Sequence, residues 1–150
     1  MALTSPQADA SRVAPGLYVG SRPQPGLYRW LGVIVLCAKE FQPPSYMYPG
    51  VMVVHAPLDD DPTRAMRSDE IELAVSTART LARCLQAHQR VLTTCRMGLN
   101  RSALIASLTM QMAYDMSPDE TIKRIRSVRG PFALRNPGFR WLIRQLAVES

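Results

Sequence analysis

The strongest constraint on this chain is a pair of short β-branched runs with little polar alternation, Gly32-Val33-Ile34-Val35-Leu36-Cys37 and Val51-Met52-Val53-Val54-His55, with Val91-Leu92-Thr93-Thr94 as a further short strand. A strand that is apolar on successive residues is buried on both faces, which is the condition of a covered parallel sheet and not of a half-exposed hairpin. Leu17-Tyr18-Val19-Gly20 adds a further short strand, ended by Gly20 and followed by a turn around Pro23, Pro25 and Gly26. Gln42 to Gly50 is proline-rich and reads as loop. Ser68 to about Ala87 carries Ile71, Leu73, Ala74, Ala78, Leu81, Ala82 and Leu85 at helical spacing, and Ser102 to Tyr114 is a strongly apolar helix. Ser117-Pro118-Asp119-Glu120 joins a capping serine, a first-turn proline and a glutamate three residues after the cap. That helix is expected to stop at Gly130-Pro131, and Pro137 to Val148 forms the last one. Strands alternating with helices predict an α/β fold: a central, mostly parallel sheet of about four or five strands flanked by helices.

A length of 150 residues suits one domain, 1–150, and no repeat or linker divides it. Cys37, Cys84 and Cys95 are widely spaced, and the histidines are His55 and His88, so neither a disulfide scaffold nor a zinc site is expected, and no cofactor is called for. Met1 to Ala14 lacks the apolar centre of a secretion signal, and no later run is long enough to span a membrane. A cytoplasmic setting is the expectation. The net charge of +6 is nearly all arginine, since lysine occurs only at Lys39 and Lys123. Arginine offers a planar fork of donors that suits phosphate, although a basic composition alone identifies no nucleic-acid partner.

Chemistry concentrates in Thr94-Cys95-Arg96-Met97-Gly98-Leu99-Asn100-Arg101-Ser102, between a predicted strand and a predicted helix. A loop turning from strand into helix points successive backbone N–H groups inward, and the helix N-terminus adds its own partial positive charge. Arg96 to Asn100 would therefore bind a dianion, with Gly98 supplying backbone freedom. Arg101 can bind two phosphoryl oxygens at once and hold the charge that spreads over them in transfer. The same field favours a thiolate, which makes Cys95 a nucleophile at neutral pH. Ser102 is placed to hydrogen-bond the sulfur and help it leave. An arginine in the first turn of a helix faces the positive end of the dipole and calls for an anion there.

These residues resemble the dual-specificity branch of the protein tyrosine phosphatase superfamily. Val13-Ala14-Pro15-Gly16-Leu17-Tyr18-Val19-Gly20-Ser21 is similar to the family's opening strand, and Arg126 to Leu146, with Asn136-Pro137-Gly138-Phe139, to its closing stretch. The resemblance implies a sheet with helices on both sides, no metal, and hydrolysis of phosphomonoesters through a phosphocysteine. It also implies an aspartic acid that protonates the leaving oxygen, carried on a loop some thirty residues before the cysteine. Here that loop is His55-Ala56-Pro57-Leu58-Asp59-Asp60-Asp61-Pro62. Matching Pro57-Leu58-Asp59-Asp60 to the family makes Asp60 the first candidate for the acid, ahead of Asp61 and then Asp59. Crowded carboxylates are expected to raise the pKa of at least one of them.

The family usually has histidine directly before the cysteine, and this chain has Thr94. Three functions follow as expectations. The first is a phosphatase of phosphotyrosine and of phosphoserine or phosphothreonine in proteins. The second is an RNA 5′-phosphatase, because Gly98-Leu99-Asn100-Arg101 is similar to the loop of that subfamily, or a phosphoinositide phosphatase. The third is a phosphate-binding module with weak turnover, suggested by Thr94. Leu36-Cys37-Ala38-Lys39-Glu40 resembles a stretch of phosphoinositide phosphatases in which a cysteine forms a disulfide with the catalytic one, so Cys37 is either a redox partner of Cys95 or a small core residue. Met97, Met110, Met112 and Met116 read as helix-face core, and Cys84 as packing.

Overall fold

The computed structural model of the protein describes residues 8–149. Its strands, in chain order, are β1 (Ser11–Ala14), β2 (Leu17–Gly20), β3 (Val33–Ala38), β4 (Met52–Leu58) and β5 (Val91–Thr94). They form one sheet in the order β1-β2-β5-β3-β4. Strand β5 sits at the centre, parallel to β2 and β3, and β3 is parallel to β4. Only β1 is antiparallel, to β2. The strand expected at Leu17 to Gly20 is β2, while the resemblance likened the whole of Val13 to Ser21 to one opening strand. Instead the chain turns at Pro15-Gly16, where Gly16 adopts φ +77°, and β1 folds back on β2 as a hairpin.

The helices are α1 (Ser68–Gln86), α2 (Arg101–Tyr114), α3 (Pro118–Arg129) and α4 (Pro137–Glu149). All four pack on one face of the sheet, in a core that takes Leu17, Val19, Val33, Val35, Cys37 and Val91 from the strands. Helix α2 lies innermost: every residue from Arg101 to Met110 is buried, which explains why its sequence is apolar on all sides. The other sheet face carries Ile34, Leu36 and Leu92 against Tyr28, Leu31 and Tyr48. The resemblance implied helices on both sides, but this second face is closed by the segment between β2 and β4. Within Gln42 to Gly50, expected as plain loop, Ser45–Met47 forms a 3-10 turn, and buried Tyr48 donates its hydroxyl to the Pro23 carbonyl.

Strand β4 runs on to Leu58, so His55 to Leu58 belongs to the strand and not to the acidic loop after it. Pro57 is tolerated because β4 is an edge strand with no neighbour needing its missing N–H. Helix α3 starts with the expected reciprocal cap, Glu120 N donating to Ser117 Oγ and Ser117 N to Glu120 Oε1. It ends at Arg129, before Gly130 at φ +100°. Among the described residues no helix is long and apolar enough to cross a membrane.

Candidate active site

The parallel pairing of β2 with β5 continues one residue past the strand, Cys95 N donating to Gly20 O at 3.3 Å. This sets Cys95 at the C-terminal edge of the sheet, directly beneath the N-terminus of α2. Its side chain is buried, and Sγ lies 3.1 Å from Ser102 Oγ. Thr93 Oγ1 donates to Ser102 O, which locks the first turn of α2 onto β5. Thr94, where the resembling family has histidine, is also buried and donates its hydroxyl to Val35 O at 2.7 Å. That hydroxyl is spent on β3 and gives nothing to the loop.

Between Cys95 and Arg101 the chain turns with its carbonyls facing outward. Met97 O accepts from Arg129 Nη2 at 2.9 Å, Gly98 O from Arg129 Nε at 3.0 Å, and Leu99 O from Leu134 N at 2.7 Å. Peptide C=O and N–H groups point in opposite directions across a planar unit. The N–H groups of Gly98, Leu99 and Asn100 therefore face away from these clamps, toward a cavity of about 370 Å³ lined by Glu40, Asp59, Asp60, Arg96, Met97, Leu99, Asn100 and Arg101. Gly98 adopts φ +71°, and a Cβ there would strike Arg129 Nη2 and lie 2.7 Å from the Gly20 carbonyl carbon. Glycine is required by this close approach as well as by the turn. Met97, expected in the core, is 62% exposed at the rim of the cavity.

Arg101 is only 7% exposed. Its Nη1 and Nη2 donate to the two oxygens of Glu40 at 2.5 and 2.8 Å, and Nη1 also donates to Leu58 O at 3.1 Å. Glu40 is thus the anion that offsets an arginine placed at the positive end of α2. The Arg101 hydrogen bonds hold the Glu40 pKa down to about 2. Glu40 grips the outer end of the guanidinium, so the Nε–H edge is left over, and Nε is a buried polar atom without a partner.

The acidic loop is sorted by its neighbours. Asp59 and Asp61 face Arg64, at 3.4 and 3.7 Å. Arg64 is anchored in turn on buried Glu70, whose Oε1 also accepts from Arg67 N at the start of α1. Asp60 turns the other way: its Oδ1 accepts from Asn136 Nδ2 at 2.8 Å, while Asn136 N donates to Asn100 Oδ1 at 3.3 Å. One buried asparagine therefore ties Asp60 to the Cys95 loop. Crowding was expected to raise a carboxyl pKa, but Asp61 moves down, held by hydrogen bonds from the Thr63 hydroxyl and N–H.

Cys37 is fully buried at the end of β3, where Leu36 pairs with Thr94. Its pKa is pushed well up by burial first and by the neighbouring charge of Cys95 second. Of the residues singled out in the sequence, the structure brings Cys95, Arg96 to Arg101, Ser102 and Asp60 together at one sheet edge, with Cys37 beside them at the end of β3. The sequence reading missed Glu40 as the partner of Arg101, and it missed Asn136, Arg129 and Asp9. Arg129 and Asp9 are 120 residues apart and have no local signature, whereas Glu40 stood inside a stretch already singled out for its cysteine.

The fold is that of the dual-specificity and protein tyrosine phosphatases. The chain is similar to human DUSP28, with 23% identity, 99% of this chain and all of that one covered, and a TM-score of 0.75. It is similar to a mouse putative dual specificity phosphatase complexed with zinc tungstate, at 21% identity over 97% of this chain and 90% of that one, TM-score 0.75. In sequence it is 31% identical over 90 residues, 60% of this chain, to mouse cyclin-dependent kinase inhibitor 3. The match spans 40% of that relative's length. No family model matches the chain.

Two carboxylates paired with arginines at the loop carry a pH signature. Asp9 is held at about 2 by its hydrogen bond from Arg129, as Glu40 is by Arg101. A carboxyl lowered on folding contributes stability that is present above its unfolded value, near 4, and is lost as pH falls through about 2. Urea midpoints should therefore drop from pH 5 to pH 2 more steeply in the wild type than in Asp9→Asn or Glu40→Gln. The effect is modest because both carboxylates are half-exposed. Parallel declines in all three proteins would contradict the assignment.

Proposed function

We propose that the protein is a cysteine-dependent phosphatase of the dual-specificity type, acting on phosphotyrosine and on phosphoserine or phosphothreonine of proteins. The observation that carries this reading is the placement of Cys95 Sγ, 3.1 Å from Ser102 Oγ, beneath inward-facing loop N–H groups and beside the unpartnered Nε of Arg101. In the first step Sγ attacks phosphorus and the bond to the leaving oxygen breaks, with Asp60 donating its proton to that oxygen. Loop N–H groups and the Nε edge of Arg101 stabilise the equatorial oxygens as charge builds on them. In the second step water attacks phosphorus and gives a proton back to Asp60. The S–P bond breaks, and the Ser102 hydroxyl hydrogen-bonds the departing thiolate.

Asp59 and Asp60 both line the cavity, and Asp60 is favoured because Asp59 and Asp61 are engaged by Arg64, while Asp60 is tethered to the loop through Asn136. Exposed Met97 and Arg96 at the rim suit a flat, partly apolar phosphorylated side chain in a protein more than a nucleotide or lipid headgroup. One observation favours a second reading, a phosphate-binding protein with weak turnover: the Thr94 hydroxyl is committed to Val35 and leaves the loop without the family's usual support. Release of phosphate from a small aryl phosphate separates the two.

Under the first reading, Cys95→Ser and Arg101→Ala each remove nearly all turnover while the fold persists. Asp60→Asn slows hydrolysis of a poor leaving group, such as phenyl phosphate, about a hundredfold, and of an activated one far less. Substantial turnover by pure Cys95→Ser ends the covalent mechanism. If Asp59→Asn or Asp61→Asn has the effect in place of Asp60→Asn, the acid is misassigned.

Cys37 belongs to this reading as a protective thiol. Peroxide oxidises the Cys95 thiolate to a sulfenic acid, and attack by the Cys37 sulfur expels water and leaves a disulfide. Mild peroxide should inactivate the wild type reversibly by dithiothreitol and Cys37→Ser irreversibly. A peptide map joining Cys95 to Cys84, or showing no bridge, returns Cys37 to the core.

A further inference from the structure

The guanidinium of Arg129, at the last position of α3, is 9% exposed and sits behind the Cys95 loop. All five of its N–H donors are used. Nε meets Gly98 O, and Nη2 meets Met97 O at 2.9 Å and Asp9 Oδ2 at 3.0 Å. Nη1 meets Asp9 Oδ1 at 2.8 Å and Ser11 Oγ at 3.2 Å. A guanidinium with no donor left cannot also bind a substrate oxygen, and its charge is matched by Asp9. What it contributes is geometry: two neighbouring carbonyls are held in one direction by a single rigid fork.

The packing around it has no slack. A Cβ on Gly20 would strike the Asp9 carbonyl, and a Cβ on Gly98 would lie 2.7 and 2.8 Å from the Gly20 carbonyl carbon and oxygen. Asp9, Gly20, Gly98 and Arg129 therefore stack directly on one another, and Asp9 also accepts from Ser21 N at 3.2 Å. The freedom that lets Gly98 make its turn also admits other peptide orientations, in which N–H groups no longer converge on the cavity. Something has to select one.

We propose that Arg129, anchored by Asp9, is the positioning residue that selects the anion-binding shape of the Cys95 loop, so that the start of the described chain forms part of the site. This inference rests on the phosphatase reading above. The mechanism is steric and directional. Arg129 and Asp9 touch no reacting atom and act through the peptide units of Met97, Gly98 and Leu99.

The test measures the dissociation constant of inorganic phosphate by calorimetry, and KM and kcat on an aryl phosphate, for the full chain and for Arg129→Ala, Arg129→Lys and Asp9→Ala. Arg129→Ala should weaken phosphate binding and raise KM about tenfold or more. Arg129→Lys should fail to rescue, because one ammonium cannot span both carbonyls and the carboxylate. Added guanidinium ion should restore part of the lost affinity of Arg129→Ala, which a general loss of stability would not permit. Asp9→Ala keeps the fork but frees its anchor and should lose roughly threefold; it carries the test if Arg129→Ala does not fold. Phosphate affinity and KM within twofold of wild type in folded Arg129→Ala, or in Asp9→Ala if only that variant folds, overturn the proposal, as does full rescue by lysine. If the wild type neither binds phosphate nor turns over, the phosphatase reading fails first, and the two failures are told apart.

Discussion

Everything at this site depends on the direction of a few peptide planes between β5 and α2. Three successive carbonyls, of Met97, Gly98 and Leu99, are drawn outward by Arg129 and by Leu134 N. The N–H groups opposite them are then turned inward without any side chain having to supply positive charge. Leu134 itself adopts φ +60°, a conformation disfavoured for a non-glycine residue, and it does so where its N–H meets the loop. Leu134 and Arg129 thus hold the loop from behind, and Arg101 and Glu40 stand on its cavity side.

The charges nearest the loop come in matched pairs. Arg101 has Glu40 and Arg129 has Asp9, each held by a two-point contact. A buried guanidinium without its carboxylate would be costly, and a carboxylate reaching the loop N–H groups would compete with any substrate. The observed pairing gives each guanidinium a carboxylate at its outer end, with Asp9 behind the loop and Glu40 on the cavity wall beside Arg101. The excess positive charge of the chain is therefore not what builds the site.

What was legible in the sequence was what is local. Cys95, Gly98, Arg101 and Ser102 stand within eight residues, and a strand before them and a helix after them fix their relation almost completely. The apolar run of β3 likewise announced a strand covered on both faces, and Ser117 with Glu120 announced the start of α3, whereas Val51 to His55, expected to be buried as well, became the edge strand β4 with Met52 and His55 exposed. What escaped was contact between distant residues. Glu40 reaches Arg101 across 61 positions, Asn136 reaches Asp60 across 76, and Arg129 reaches Asp9 across 120. No periodicity records such pairs. The hairpin of β1 on β2 was hidden for a different reason, since the strand on each side of Gly16 is only four residues long. The second layer over the sheet was hidden because it is built from turns, with Tyr28 and Tyr48 doing the covering that a helix was expected to do.

The central claim is that Cys95 forms a covalent bond to phosphorus. The measurement that reaches it most directly is acid quenching of the protein during turnover of a phosphomonoester, followed by mass spectrometry of its peptides. The account predicts a phosphoryl group on the peptide carrying Cys95, accumulating in Asp60→Asn when an activated ester is used, because attack then outpaces hydrolysis. Turnover without any phosphoryl adduct, or with the adduct on another residue, would contradict it.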